Sequence, residues 1–137
     1  MDNLPINRPE TFGEATPTET TLTHLNLLEL APASDASRPR PGVRRVLTAD
    51  GVNLILFSFL PGQSLPDHKA AHPITVQCLA GEVTFTYQGQ AADVTPGTVI
   101  HLPAYAPHRV DCPGEKNKGN TPAVMLLMMH TGESVGK

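Results

Sequence analysis

The chain has 137 residues, 39% of them hydrophobic, and a formal net charge of -3 at neutral pH. That length suits one domain with its own apolar core, and the mildly acidic balance argues against a protein held to nucleic acid by phosphate contacts. The two cysteines, Cys78 and Cys112, are too few and too far apart for a disulfide framework, and no apolar run approaches the ~20 residues of a membrane span.

Residues 1–20 are rich in Pro, Thr, Glu and Asn without apolar periodicity, which predicts an irregular arm. The opening MDNLPINRPE has neither a basic n-region nor an apolar h-region, so no secretory signal and a cytoplasmic protein are expected. In TLTHLNLLEL (21–30), Leu22, Leu25 and Leu28 suit one helical face while the tail also fits a strand. A short helix or turn leading into an edge strand is expected there. APASDASRPRPG (31–42) is a loop, its prolines blocking regular structure. The basic run RPRPGVRR (38–45) is proline-broken and free of interleaved aromatics, the mark of a solvated loop. Residues 1–42 thus read as arm and loop.

From residue 43 the texture changes. VRRVLTA and VNLILFSFL read as two strands joined at Asp50-Gly51, a pair suited to a type I′ hairpin. PGQSLPD follows as a turn. ITVQCLAG (74–81) is a strand, with Cys78 a small buried hydrophobe. In EVTFTYQGQ, Val83, Phe85 and Tyr87 alternate with threonines, the period of a half-buried strand, and Gln88-Gly89 marks a hairpin. TVIHLP (98–103) and RVDC read as short strands and PGEKNKGNTP as a polar excursion. AVMLLMMH (123–130) is continuously apolar, as in a strand buried on both faces. Short strands separated by Gly and Pro predict an all-β sandwich or barrel over residues 43–137.

The spacing PGTVIHLPAYAPH resembles the second conserved motif of the cupins: a glycine, five residues, a proline, then a histidine after a short turn, here Gly97, Pro103 and His108. PGQSLPDHKAAHPITVQCLAGEVTF resembles the first motif, with Gly62, His68 and Gly81 in order. Only 15 residues separate Gly81 from Gly97, as in compact single-domain bacterial cupins. The resemblance covers roughly residues 43–130. It implies a double-stranded β-helix (jelly-roll) barrel preceded by an irregular, partly helical arm. It also implies a divalent metal held by two histidines and a glutamate from the first motif and one histidine from the second.

Residue by residue, His68 matches the first histidine and His108 the last. The place of the second histidine falls at Ala70 and that of the glutamate at Ile74. His72, two positions off register beside Pro73, is one candidate to replace the missing ligand. Gln77 is another, through its amide oxygen, if its strand face is the inner one. Each has an alternative. The His68–His108 pair is either a metal site or a relic bonded to waters and a neighbour; His72 is a ligand or a loop histidine; Gln77 is a ligand or a buried, hydrogen-bonded amide.

His101 either lines the barrel as a pocket acid/base group or lies outside it, His130 reads as a strand-end residue, and His24 carries no role. Asp67 and Asp111, adjoining the two matched histidines, are candidates to accept a ring N–H.

A set of neutral ligands favours Zn, Ni, Cu or Fe over Mn or Mg and would attract an anionic or enolate-like molecule. The resemblance therefore implies a small-molecule pocket lined by residues such as Val76, Phe85 and Ile100. Its chemistry would be metal-dependent oxygenation or isomerisation of a small organic acid or phenol, the metal acting as Lewis acid and template. The rival is a non-catalytic small-molecule-binding or regulatory cupin, since this fold hosts many unrelated functions. No GxSxG elbow, P-loop or GxGxxG motif points elsewhere. The leucines at 22, 25, 27, 28 and 30 have no place in the barrel motif, so they are expected to pack on its outside or on a second subunit, as a homodimer.

Overall fold

The computed structural model describes residues 3–15, 22–115, 117 and 121–132. Parts of the expected arm (1–2 and 16–21), of the polar excursion (116 and 118–120) and of the barrel segment's end (133–137) lie outside the described residues. Ten strands form among those described: β1 (Ile6–Asn7), β2 (Gly42–Ala49), β3 (Val52–Phe59), β4 (Ser64–Ala70) and β5 (Ile74–Ala80), followed by β6 (Val83–Tyr87), β7 (Gln90–Val94), β8 (Val99–Leu102), β9 (His108–Asp111) and β10 (Ala123–His130). They build two five-stranded sheets, ordered β1-β4-β9-β6-β7 and β2-β3-β10-β5-β8.

The two inner faces make the core. Ile55, Phe57 and Phe59 of β3, Met125, Leu127 and Met129 of β10, and Ile74, Val76 and Cys78 of β5 meet Leu65, Val83, Phe85 and Val110 from the other sheet. The alternation of two that strands impose sends Leu56, Val124 and Leu126 to a second, outer cluster. β10, paired on both edges with β3 and β5, is buried on both faces because the inner core takes one side and the outer cluster, with Leu27 and Leu30 packed on it, covers much of the other.

The leucines of the arm divide. Leu27 and Leu30 pack on the outer cluster, whereas Leu22 and Leu28 remain 90% and 56% exposed. The segment makes one turn at 27–30, closed by the Leu30 N–H on the Asn26 and Leu27 carbonyls. Gln63 pins the proline loop that follows: its Nε2 donates to the Asp35 and Arg38 carbonyls, and its Oε1 accepts from the Leu60 N–H and the Ser34 hydroxyl. Gly42 ends this loop where a Cβ would lie 2.0 Å from the Ala33 carbonyl oxygen. Gly42→Ala should therefore cost about 1–3 kcal/mol of stability by overpacking, read as a lower urea midpoint.

Two local expectations are corrected. At Asp50-Gly51 only Gly51 has positive φ (84°), whereas a type I′ turn needs both central residues positive. The Thr131 and Gly132 N–H groups donate to the Gly51 carbonyl, so tertiary contacts hold that turn. The residue pair with both φ positive is Gln88-Gly89, at 50° and 76°. PGQSLPD turns at Pro61-Gly62 but is strand from Ser64: Pro66 and Asp67 sit at a register shift between Leu65↔Val110 and His68↔His108, where a proline's missing N–H costs no ladder bond. The arm joins the barrel at a sheet edge. β1 pairs in parallel with β4, and the Lys69 and Ala71 N–H groups donate to the Pro5 and Asn7 carbonyls.

Candidate functional site

The bulge in β4 decides which side chains face inward. Strict alternation from Leu65 would turn Asp67 to the core and His68 away from it. The extra residue instead leaves Pro66 and Asp67 exposed and buries His68 directly across from His108 of β9. The two imidazoles meet edge to face, with ring centroids 4.2 Å apart and 63° between planes. Phe85 of β6 stacks on His108 at 5.0 Å and 9°.

Both rings are held in the same way. His68 Nδ1 lies 2.8 Å from the Pro66 carbonyl, and His108 Nδ1 lies 2.9 Å from the Ala106 carbonyl. A carbonyl only accepts, so each Nδ1 carries the proton and each Nε2 is left with a free lone pair. Burial pushes both imidazoles below their ordinary pKa; His108, which also faces His68, falls to about 4. At neutral pH the pair is uncharged. The loop before His108 is anchored by the Tyr105 N–H on the Ala70 carbonyl, at 2.7 Å, with Tyr105 held at φ 64°.

The pair opens onto a cavity whose other walls include Phe57, Val76, Phe85, Met125 and Met129. Its open space, about 10 Å³, suits about one water molecule. The arm closes it. Asn7 of β1 lines the cavity, and so does Phe12, whose ring packs edge-on against Phe57 at 5.5 Å. Phe12 ends a short 3-10 turn (Pro9–Phe12) that starts on a proline and is braced by the Arg8 N–H donating to Thr11 Oγ1. Sequence reasoning missed Asn7 and Phe12; their one signal was a Phe, among only four in the chain, set in a polar arm.

Residues 55–130, more than half of the chain, match the cupin domain family. The chain belongs to the cupin family. Solved structures share the fold. An RmlC-like cupin from Desulfovibrio desulfuricans is 24% identical with a TM-score of 0.66, covering 82% of this chain and 100% of its own. A cupin superfamily protein from Desulfitobacterium hafniense is 24% identical with a TM-score of 0.62, covering 80% of this chain and 92% of its own. The DMSP lyase DddQ from Ruegeria pomeroyi is 18% identical with a TM-score of 0.57, over 72% of this chain and 49% of its own. No curated protein matches this chain.

This cupin brings together only part of the expected site. His72 sits half-buried in the bend between β4 and β5 and does not line the cavity. Gln77 points away, because Ile74, Val76 and Cys78 occupy the inner face of β5. His101 is exposed on the outer face, Ile100 packs against the core without lining the cavity, and Val76 and Phe85 line it. Asp67 and Asp111 do not orient the histidines: backbone carbonyls do, and Asp111 is instead bound to Arg109 at 2.9 Å. His24 is exposed.

This donor set meets only part of what the metal implied by the fold family requires. Tethered Nδ1–H groups with free Nε2 atoms are what a metal-binding histidine needs. The number of donors falls short, however: among the described residues no three His, Cys, Asp or Glu side chains converge, and the places of the second histidine and the glutamate hold Ala70 and Ile74. The complete centre of the family does not fit these residues.

Proposed function

We propose that this cupin binds a small, uncharged, largely apolar molecule that donates one hydrogen bond, with a simple phenol as the type ligand. The observation that carries this reading is the pair of buried, neutral imidazoles presenting Nε2 acceptors into a cavity with no charged residue among the described residues of its lining. A carboxylate would meet two acceptors and no cation there, at the cost of desolvation. A hydroxyl would meet two acceptors, with the Asn7 amide as a further polar group. The aromatic preference has its own support, since the arm already places the Phe12 ring at this site, packed on Phe57. Such a ligand needs more room than one water occupies, so it enters as Phe12 moves out.

Calorimetric titration with phenol, toluene and benzoate tests the reading. Phenol should bind best, toluene about fivefold more weakly for lack of one hydrogen bond worth about 1 kcal/mol, and benzoate not measurably. His68→Ala and His108→Ala should erase the preference for phenol over toluene, and Phe12→Ala should tighten phenol binding. Benzoate binding as well as phenol, or a phenol preference that survives both histidine substitutions, would overturn it.

A second reading, the metal-dependent enzyme, draws support from the Nδ1-tethered tautomers. It requires one equivalent of metal that is lost in both His68→Ala and His108→Ala.

A further inference from the structure

We propose that the outer face of the second sheet carries a separate site for a late-transition divalent cation, built from His101, Thr75 and His130. The three come from adjacent strands. Thr75 of β5 lies directly across from His101 of β8 and, on its other side, from Met128 of β10; His130 is two residues further along β10. All point away from the barrel interior, because Ile74, Val76 and Met129 take the inward positions.

The geometry is convergent. Thr75 Oγ1 lies 2.9 Å from His101 Nδ1 and 2.7 Å from His130 Nε2, and the ring centroids are 5.9 Å apart. A threonine hydroxyl owns one proton. One ring accepts it, and the other must donate its own N–H to the same oxygen. One imidazole lone pair is therefore already aimed at the shared oxygen, and the second becomes available by moving a ring proton to the far nitrogen. A cation between the two nitrogens takes over the attraction that the hydroxyl supplies in its absence.

Exposure and chemistry narrow the ligand. His101 is exposed and His130 half-buried, so water completes the coordination shell and His101 can turn to close the bond lengths of about 2.0–2.1 Å that imidazole–metal contacts require. No third His, Cys, Asp or Glu joins them among the described residues. Imidazole donors select late first-row metals, copper(II) before zinc, over magnesium or calcium. The pocket pair His68 and His108 lies on the inner faces and shares no residue with this cluster.

Copper(II) titration of the untagged full chain, followed by calorimetry and by electron paramagnetic resonance, tests the site. The expected result is one equivalent with nitrogen coupling from two imidazoles. His101→Ala and His130→Ala should each weaken it more than about 100-fold, above the 10–100-fold typical of merely supporting residues, and Thr75→Val about 10-fold. The double variant His68→Ala/His108→Ala should bind copper as the parent does, which separates this site from any metal in the pocket. Copper binding unchanged in His101→Ala and His130→Ala, or lost in the pocket double variant, would overturn the assignment.

Discussion

Taking the protein from pH 7 to pH 4 should remove on the order of 3 kcal/mol of folding stability through His108 alone. Burial and the facing His68 hold the His108 pKa at about 4, against 6.5 for a free imidazole, and a displacement of that size corresponds to about 3 kcal/mol. The sign follows from which state binds more protons. Above pH 6.5 the imidazole is neutral in both states and contributes nothing to the pH dependence. Between about 6.5 and 4 the unfolded chain takes up a proton that the folded chain refuses, so stability falls as pH falls. Below about 4 the folded state protonates too, and the loss levels off. His68, also lowered by burial, adds in the same direction. Urea denaturation at half-unit pH steps should show this slope, and His108→Leu should remove most of it. A parent protein equally stable at pH 6.5 and pH 4.5 would contradict the burial of neutral imidazoles. Against typical domain stabilities of about 5–15 kcal/mol, the effect would be plain.

Phe57→Ala should cost about 3–5 kcal/mol, the range for deleting a buried aromatic ring. Phe57 is 1% exposed, stacks on Phe59 at 6.3 Å, receives Phe12 edge-on and forms part of the cavity wall. It therefore joins the core to the site. The urea midpoint should drop with an unchanged slope. Phe12→Ala should cost markedly less, because Phe12 is only half-buried and the arm holds a short ladder. If the two substitutions cost the same, the arm is part of the cooperative core and cannot move aside for a ligand.

The barrel was legible because its strongest strands bury one face and show it. Alternation in Val83–Tyr87 and the unbroken apolar run at Ala123–His130 gave the right elements at the right places. β7 was illegible for the opposite reason: four of its five residues are exposed, so no apolar period exists to read. His68 and His108 could be placed from motif spacing, and they do face each other. The rest of the site depends on facts that no linear pattern carries. One inserted residue at Pro66–Asp67 sets which side chains of β4 face inward, strand parity turns Gln77 and His101 outward, and a parallel pairing over about sixty residues of sequence brings Asn7 to the cavity.

Because β1 lies along the outer edge of β4, it covers an edge that another chain could otherwise pair with. An uncovered strand edge offers a row of unpaired N–H and C=O groups to any other extended chain. Here β1 occupies that edge with only two paired residues. A chain shortened past Asn7 would leave the Lys69 and Ala71 N–H groups without their β1 carbonyls, whereas Pro66 has no N–H to offer and the Ser64 N–H stays on the Pro39 carbonyl. The price of such a trim would appear less in the melting of a dilute sample than in its solubility on concentration.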